Sequence, residues 1–130
     1  MTEKQKTILC IEDEPEMIEL MRIILERKGY LVKSASGGQE GIDMIREETP
    51  DLVLLDLMMP DIGGWEVYQQ MKNDPKSANT PVIIVTAKAQ SIDKVLGLHI
   101  AKVDDYISKP FSPSELLTSV EKVFSKREEN

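Results

Sequence analysis

DLVLLDLMMP, residues Asp51 to Pro60, decides the fold. Within it Leu52, Val53, Leu54 and Leu55 form an unbroken apolar run closed by an acid at each end, Asp51 and Asp56. A strand with one wet face alternates apolar and polar residues, whereas a strand covered on both faces reads as a short continuous apolar run. Thr7 to Ile11 (TILCI) and Val82 to Val85 (VIIV) have the same form, and Tyr30 to Ala35 and Asp105 to Ser108 complete a set of five strand-like segments.

Helical patterns lie between and after these runs. The first opens with Pro15, places Met17, Ile18, Leu20, Met21, Ile24 and Leu25 on one side, and stops at Gly29. The second is opened by Ser36 with Gln39 three residues on and carries Ile42 and Ile45; the fifth is opened by Ser112 with Pro113 and Glu115, then Leu116, Leu117, Val120 and Val123. Both openings read as capping boxes. The third helix spans about Trp65 to Met71, between Gly63-Gly64 and Asn73-Asp74-Pro75, and the fourth about Ser91 to His99. Five alternating βα units predict an α/β fold, a doubly wound five-stranded parallel sheet with right-handed crossovers. Ligands of such sheets bind beyond the carboxyl ends of the strands.

Glu12 and Asp13 follow the first run, Asp56 the third, Thr86 the fourth and Lys109 the fifth. The fold would gather three acids, a hydroxyl and an ammonium at one sheet edge. Carboxylates packed so closely repel one another unless a divalent cation sits among them, and an ammonium opposite them is a natural counter-charge for a phosphoryl group. The pattern reads as a Mg²⁺-dependent phosphoryl-acceptor site. Taken singly, each residue has an ordinary explanation: a helix cap, a loop acid, a strand-forming threonine, a solubilising lysine. Their joint occurrence carries the functional reading.

At 130 residues and 41% apolar content, the chain is expected to be one domain over 1–130, with a polar N-terminal tail (1–6) and a charged tail or the start of a linker at 126–130. No apolar stretch reaches membrane-spanning length and the first residues are polar, so a cytoplasmic location without a membrane partner is expected. The net charge of −7 disfavours direct nucleic-acid contact. The single cysteine, Cys10, reads as a small buried hydrophobe. Met17, Met21, Met44 and Met71 occupy core-compatible helical positions, and Trp65 should anchor the third helix.

ILCIEDEP (Ile8 to Pro15), DLVLLDLMMP, PVIIVTAK (Pro81 to Lys88) and DDYISKPF (Asp104 to Phe111) together resemble the four motif blocks of the receiver domain of two-component response regulators. The resemblance covers essentially the whole chain and implies the flavodoxin-like strand order 2-1-3-4-5, which puts the switch point between Glu12/Asp13 and Asp56. It further implies a phosphorelay function. A sensor histidine kinase or phosphotransfer protein would supply the phosphoryl group, and a downstream output domain or protein would read the result. The chain would be a phosphoacceptor signalling domain and not an enzyme in the ordinary sense.

By that resemblance Asp56 is the nucleophile, forming an acyl phosphate. Asp13, Asp56 and the backbone carbonyl of Met58 would ligate Mg²⁺, with Glu12 acting directly or through water. Lys109 would pair with one phosphoryl oxygen and Thr86 would donate to another, while Ala87 is small enough to leave access. Lys109-Pro110 would be a cis peptide. Tyr106 would be the aromatic switch, turning inward as Thr86 moves toward the phosphate, so that the face made by the fourth helix, fifth strand and fifth helix signals. Met58 and Lys88 occupy the two positions where acidic or amide side chains speed loss of the phosphoryl group. His99, the only histidine, reads as a surface residue of the fourth helix, so the donor histidine belongs to a partner.

Three features depart from the family pattern. Lys102-Val103 stand where Gly-Ala is common, the path from Thr86 to Lys109 is one residue longer than usual, and Ser119 replaces an arginine used by receivers that dimerise through the fourth-helix face. The mode of dimerisation stays open. A flavodoxin-like cofactor binder is disfavoured because Glu12-Asp13-Glu14 would repel a phosphate, and a haloacid-dehalogenase-like phosphatase would need its nucleophile after the first strand. The remaining alternatives are the N-terminal receiver of a longer regulator, such as a transcription factor, and a non-phosphorylated pseudo-receiver serving as a binding module.

Overall fold

The computed structural model describes residues 5–87 and 103–128. Its strands are β1 (Thr7–Ile11), β2 (Leu31–Ala35), β3 (Leu52–Leu55), β4 (Val82–Thr86) and β5 (Asp105–Ser108). Its helices are α1 (Pro15–Glu26), α2 (Gly38–Glu47), α3 (Gly64–Asn73) and, at the C-terminal end, α4 (Pro113–Glu128). The helix expected over Ser91 to His99 lies outside the described residues, so α4 corresponds to the fifth helical pattern of the sequence.

All strand pairs are parallel, in the order β2-β1-β3-β4-β5. The continuous apolar runs are buried as expected, every residue of β3 and β4 included. Side chains alternate across the sheet, and two cores result. Ile8, Cys10, Leu52, Leu54, Ile83 and Val85 pack toward α1 and α4 with Met21, Leu25, Leu116 and Val120. Leu9, Ile11, Val53, Leu55, Val82 and Ile84 pack toward α2 and α3 with Ile42, Ile45, Val67 and Met71. Burial pushes the Cys10 thiol up to about 12, which leaves it an inert packing residue. Met21 and Met71 are buried, and Met17, Met44 and Trp65 pack at the margins of the two cores.

Local differences from expectation have physical causes. Leu20 does not join the core: it is 40% exposed, as is Ile23 at 46%. The sheet covers a stripe of about 100° on α1, enough for Met21, Ile24 and Leu25 but not for Leu20. Strand β2 begins at Leu31, because the Tyr30 amide donates to Leu25 O and completes the helix end, with Gly29 at φ 90° in the left-handed region. Helix α2 is not opened by a Ser36–Gln39 capping box. Glu40 takes the Ser36 amide and hydroxyl, while the amides of Gly38 and Gln39 donate to the carboxylate of Asp61, 3.1 Å from each. The capping box at Ser112 and Glu115 is present, both reciprocal bonds being made. Strand β4 extends one residue further than expected, to Thr86, which pairs with Ser108. Helix α4 runs on to Glu128, and Arg127 pairs with Asp104 at 3.5 Å. Among the described residues no helix is long and apolar enough to cross a membrane.

Candidate functional site

Three candidate site residues sit on the last rung of their strand ladders. The Glu12 amide donates to Ala35 O, the Asp56 amide to Ile11 O and the Lys109 amide to Thr86 O. Since Ile8 to Ile11 register against Leu52 to Leu55, one further step along both strands sets Glu12 beside Asp56. The parallel ladders therefore deliver the acids and the lysine to one edge, without any long reach of side chains.

Helix α3 begins very close to this edge. A Cβ at Gly64 would lie 2.5 Å from Asp56 O and 2.7 Å from Leu57 Cα, so only glycine lets the helix start there. The Gly64 amide in turn donates to Leu57 O.

The site is crowded with carboxylate. One oxygen each from Glu12, Asp13 and Asp56 fall within 4.8 Å of one another. Asp56 is 3% exposed; its Oδ1 accepts the Met58 amide at 3.1 Å and its Oδ2 lies 3.6 Å from Lys109 Nζ. Glu12 is buried, with Oε1 2.7 Å from Lys109 Nζ and Oε2 accepting the Glu14 amide. Burial pushes the Glu12 carboxyl up to about 7, against the pull of Lys109 and with the help of Asp56. Burial works against the Lys109 charge too, but Glu12, Asp56 and Glu14 outweigh it and hold the ammonium above its ordinary value. The Lys109-Pro110 peptide is cis.

Such a donor set fits a hard divalent cation. All its ligand atoms are carboxylate oxygens, which suit Mg²⁺ or Ca²⁺ and not a thiolate-seeking metal, and a cation would offset the Asp56 repulsion that adds to burial in raising Glu12. Asp13, half-buried, and Asp56 are the members of the cluster that Lys109 does not already hold closely.

Other expected site residues are placed as follows. Thr86 is buried at the end of β4 and Ala87 is exposed just beyond it. Tyr106 is 43% exposed on β5. Met58 is 62% exposed at the mouth of the site. Lys88 and His99 lie outside the described residues. Sequence reasoning missed two contacts. Glu14, weighed only as a phosphate-repelling residue, reaches Lys109 at 3.2 Å, and Asp61 ties the loop after Asp56 to α2. The hint for Glu14 was its position directly before Pro15, where an extended residue points back over the strand ends.

A 2-1-3-4-5 sheet with clustered acids and one ammonium at its switch point places the chain among the open doubly wound α/β domains that bind at their strand ends. More narrowly, it belongs to the response regulator receiver domain family of two-component systems, whose model matches residues 8–121. It is 41% identical over 89% of its length to response regulator GtcR of Aneurinibacillus migulanus, and 40% identical over 95% to the alkaline phosphatase synthesis transcriptional regulatory protein PhoP of Bacillus subtilis (strain 168). These matches cover 46% and 50% of those proteins, so the chain spans about half the length of the curated relatives it matches. Response regulator protein TrrA of Thermotoga maritima, solved in complex with Mg²⁺-BeF, is similar in structure with a TM-score of 0.81 and 31% identity, over 92% of this chain and 99% of that one.

Proposed function

We propose that Asp56 accepts a phosphoryl group from the phosphohistidine of a partner kinase or phosphotransfer protein, and that the chain thereby receives a signal. The observation that carries this reading is the state of Asp56: a buried carboxylate with Oδ1 fixed by the Met58 amide and Oδ2 turned toward a buried ammonium. Fixing one oxygen leaves the other oriented for in-line attack on phosphorus. The Asp56 O–P bond forms as the P–N bond of the donor breaks, and the imidazole nitrogen leaves with the electron pair. Lys109 then meets the charge on a phosphoryl oxygen, and the Thr86 hydroxyl donates to another. Asp13, Asp56, the Met58 carbonyl and Glu12, directly or through water, would hold Mg²⁺. When bound, the cation neutralises charge on the phosphoryl oxygens and helps align them. The TrrA complex with Mg²⁺-BeF supports carrying this cation over to the present chain.

On this reading Tyr106 turns inward as Thr86 closes on the phosphoryl group, altering the β5 face. Incubation with acetyl phosphate and Mg²⁺ should add one phosphoryl mass, labile to hydroxylamine, and Asp56→Asn should abolish it. Full labelling of that variant, read by intact mass, would overturn the assignment. A second reading is favoured by the length and printed name of the PhoP relative: the chain serves as the receiver part of a longer transcriptional regulator. Sequencing the complete reading frame tests it.

A further inference from the structure

Lys109 Nζ has a third carboxylate partner that the phosphoacceptor reading does not use. Glu14 Oε1 lies 3.2 Å from the ammonium, across 95 residues of sequence. Its backbone is held at both sides: the Glu14 amide donates to Glu12 Oε2, and the Glu14 carbonyl accepts the amides of Met17 and Ile18 at the start of α1. Pro15 keeps residue 14 extended, at φ −96° and ψ 112°. The side chain makes no cap bond to its own helix and instead accepts from Lys109 Nζ.

Glu14 also differs from the other two partners. Glu12 and Asp56 belong to the acid cluster that would ligate a cation, whereas Glu14 does not. A bound cation would compete with Lys109 for Glu12 and Asp56 but not for Glu14, which lies outside the cluster. The Glu14 side chain is 63% exposed at the mouth of the site, while that of Lys109 is 8% exposed. An incoming phosphodonor, itself an anion, meets a carboxylate already occupying the ammonium it needs.

We propose that Glu14 is a positioning residue that restrains Lys109 and slows phosphoryl acceptance at Asp56, setting how readily the site takes the group from small or non-cognate anionic donors. The inference rests on the phosphoacceptor reading above. In the step concerned, the Asp56 O–P bond forms as the P–O bond to acetate breaks, and acetate leaves with the electron pair. Lys109 must leave Glu14 to meet the phosphoryl oxygens.

The test compares parent and Glu14→Gln in labelling by acetyl phosphate at saturating Mg²⁺, read by intact mass at low salt and at about 1 M salt. Glutamine keeps the length and removes the charge. The variant should be labelled about three- to fivefold faster at low salt, and the gain should shrink at high salt, where the field of an exposed charge reaches only about 3 Å. Mg²⁺ affinity, followed through Trp65 emission, should be equal or weaker, so that the faster rate cannot come from the metal. Glu14→Asp, which keeps the charge but shortens the arm, should fall between the two. Labelling of Glu14→Gln at or below the parent rate, or a gain undiminished by salt, would overturn the proposal. Absence of any label on the parent would instead overturn the phosphoacceptor reading.

Discussion

A carboxylate and an ammonium 2.7 Å apart with both side chains buried, as in Glu12 and Lys109, are costly to bring together and costly to separate. The sequence showed both residues and their common edge, because strand ends are legible from apolar runs. It did not show which acid would face the lysine, since that depends on side-chain direction at the end of β1. Met58 illustrates the opposite case, in which residue chemistry alone is informative. Its thioether stands exposed beside Asp56 and is a feeble hydrogen-bond partner, poorly suited to orienting an attacking water. Lys88, two residues after Thr86, would pair with phosphoryl oxygens instead of activating water. Met58→Asn combined with Lys88→Glu should therefore shorten the lifetime of the phosphorylated form by about tenfold, or about 1.4 kcal/mol in the barrier. Decay of the label after donor removal measures this, and unchanged decay would assign the lifetime to other residues.

At the scale of elements, local signals were readable and distant ones were not. Ser112 and Glu115 cap α4 within four residues of chain, so the signature could be recognised directly. The cap of α2 comes from Asp61, more than twenty residues onward, and no spacing rule announces it. The Ile62 amide, and after it the α2 amides of Gln39 and Gly38, hold the Asp61 carboxyl below its ordinary value. The loop following Asp56 is thus moored to α2 on one side and to α3 on the other. Gly63 and Gly64 look equivalent in sequence, but only Gly64 sits against backbone; a Cβ at Gly63 meets nothing within 4 Å. Gly64→Ala should cost about 1–3 kcal/mol in urea unfolding and slow labelling of Asp56, because the start of α3 must withdraw from Asp56 O and Leu57 Cα. Gly63→Ala should be nearly neutral in both measurements. Equal losses for the pair would show that the contact at Gly64 does not limit the site.

For the whole molecule, the strand order followed from a family resemblance and the covering of the sheet on both faces from three near-continuous apolar runs, and the structure bears both out. The seam between β5 and α4 was less legible. Ser119, noted only as a missing arginine, is buried and donates to Asp105 Oδ2 at 2.6 Å, and Lys122 reaches the same oxygen at 3.0 Å. Burial alone would raise the Asp105 carboxyl, but Ser119, Lys122 and the Tyr106 amide together hold it below its ordinary 3.8. A lowered folded-state value means that this contribution is present above 3.8 and is lost as pH falls through the folded value. The parent should lose more of its urea stability than Asp105→Asn between pH 7 and about pH 3; equal slopes would exclude Asp105 as a source of acid sensitivity. A final consequence concerns β3. Both faces of Leu52 to Leu55 are apolar, so a slip by one residue would expose no greasy side chain to water, and polarity within the run is a poor guide to alignment. The acids at its two ends supply the stops. Asp51 exchanges bonds with Thr7, its amide donating to Thr7 O and its carboxylate accepting the Thr7 amide, and the Asp56 amide closes on Ile11. A slipped strand would drag a charge into the hydrocarbon layer at one end, so the residue proposed to carry the signal would also penalise any misalignment of β3.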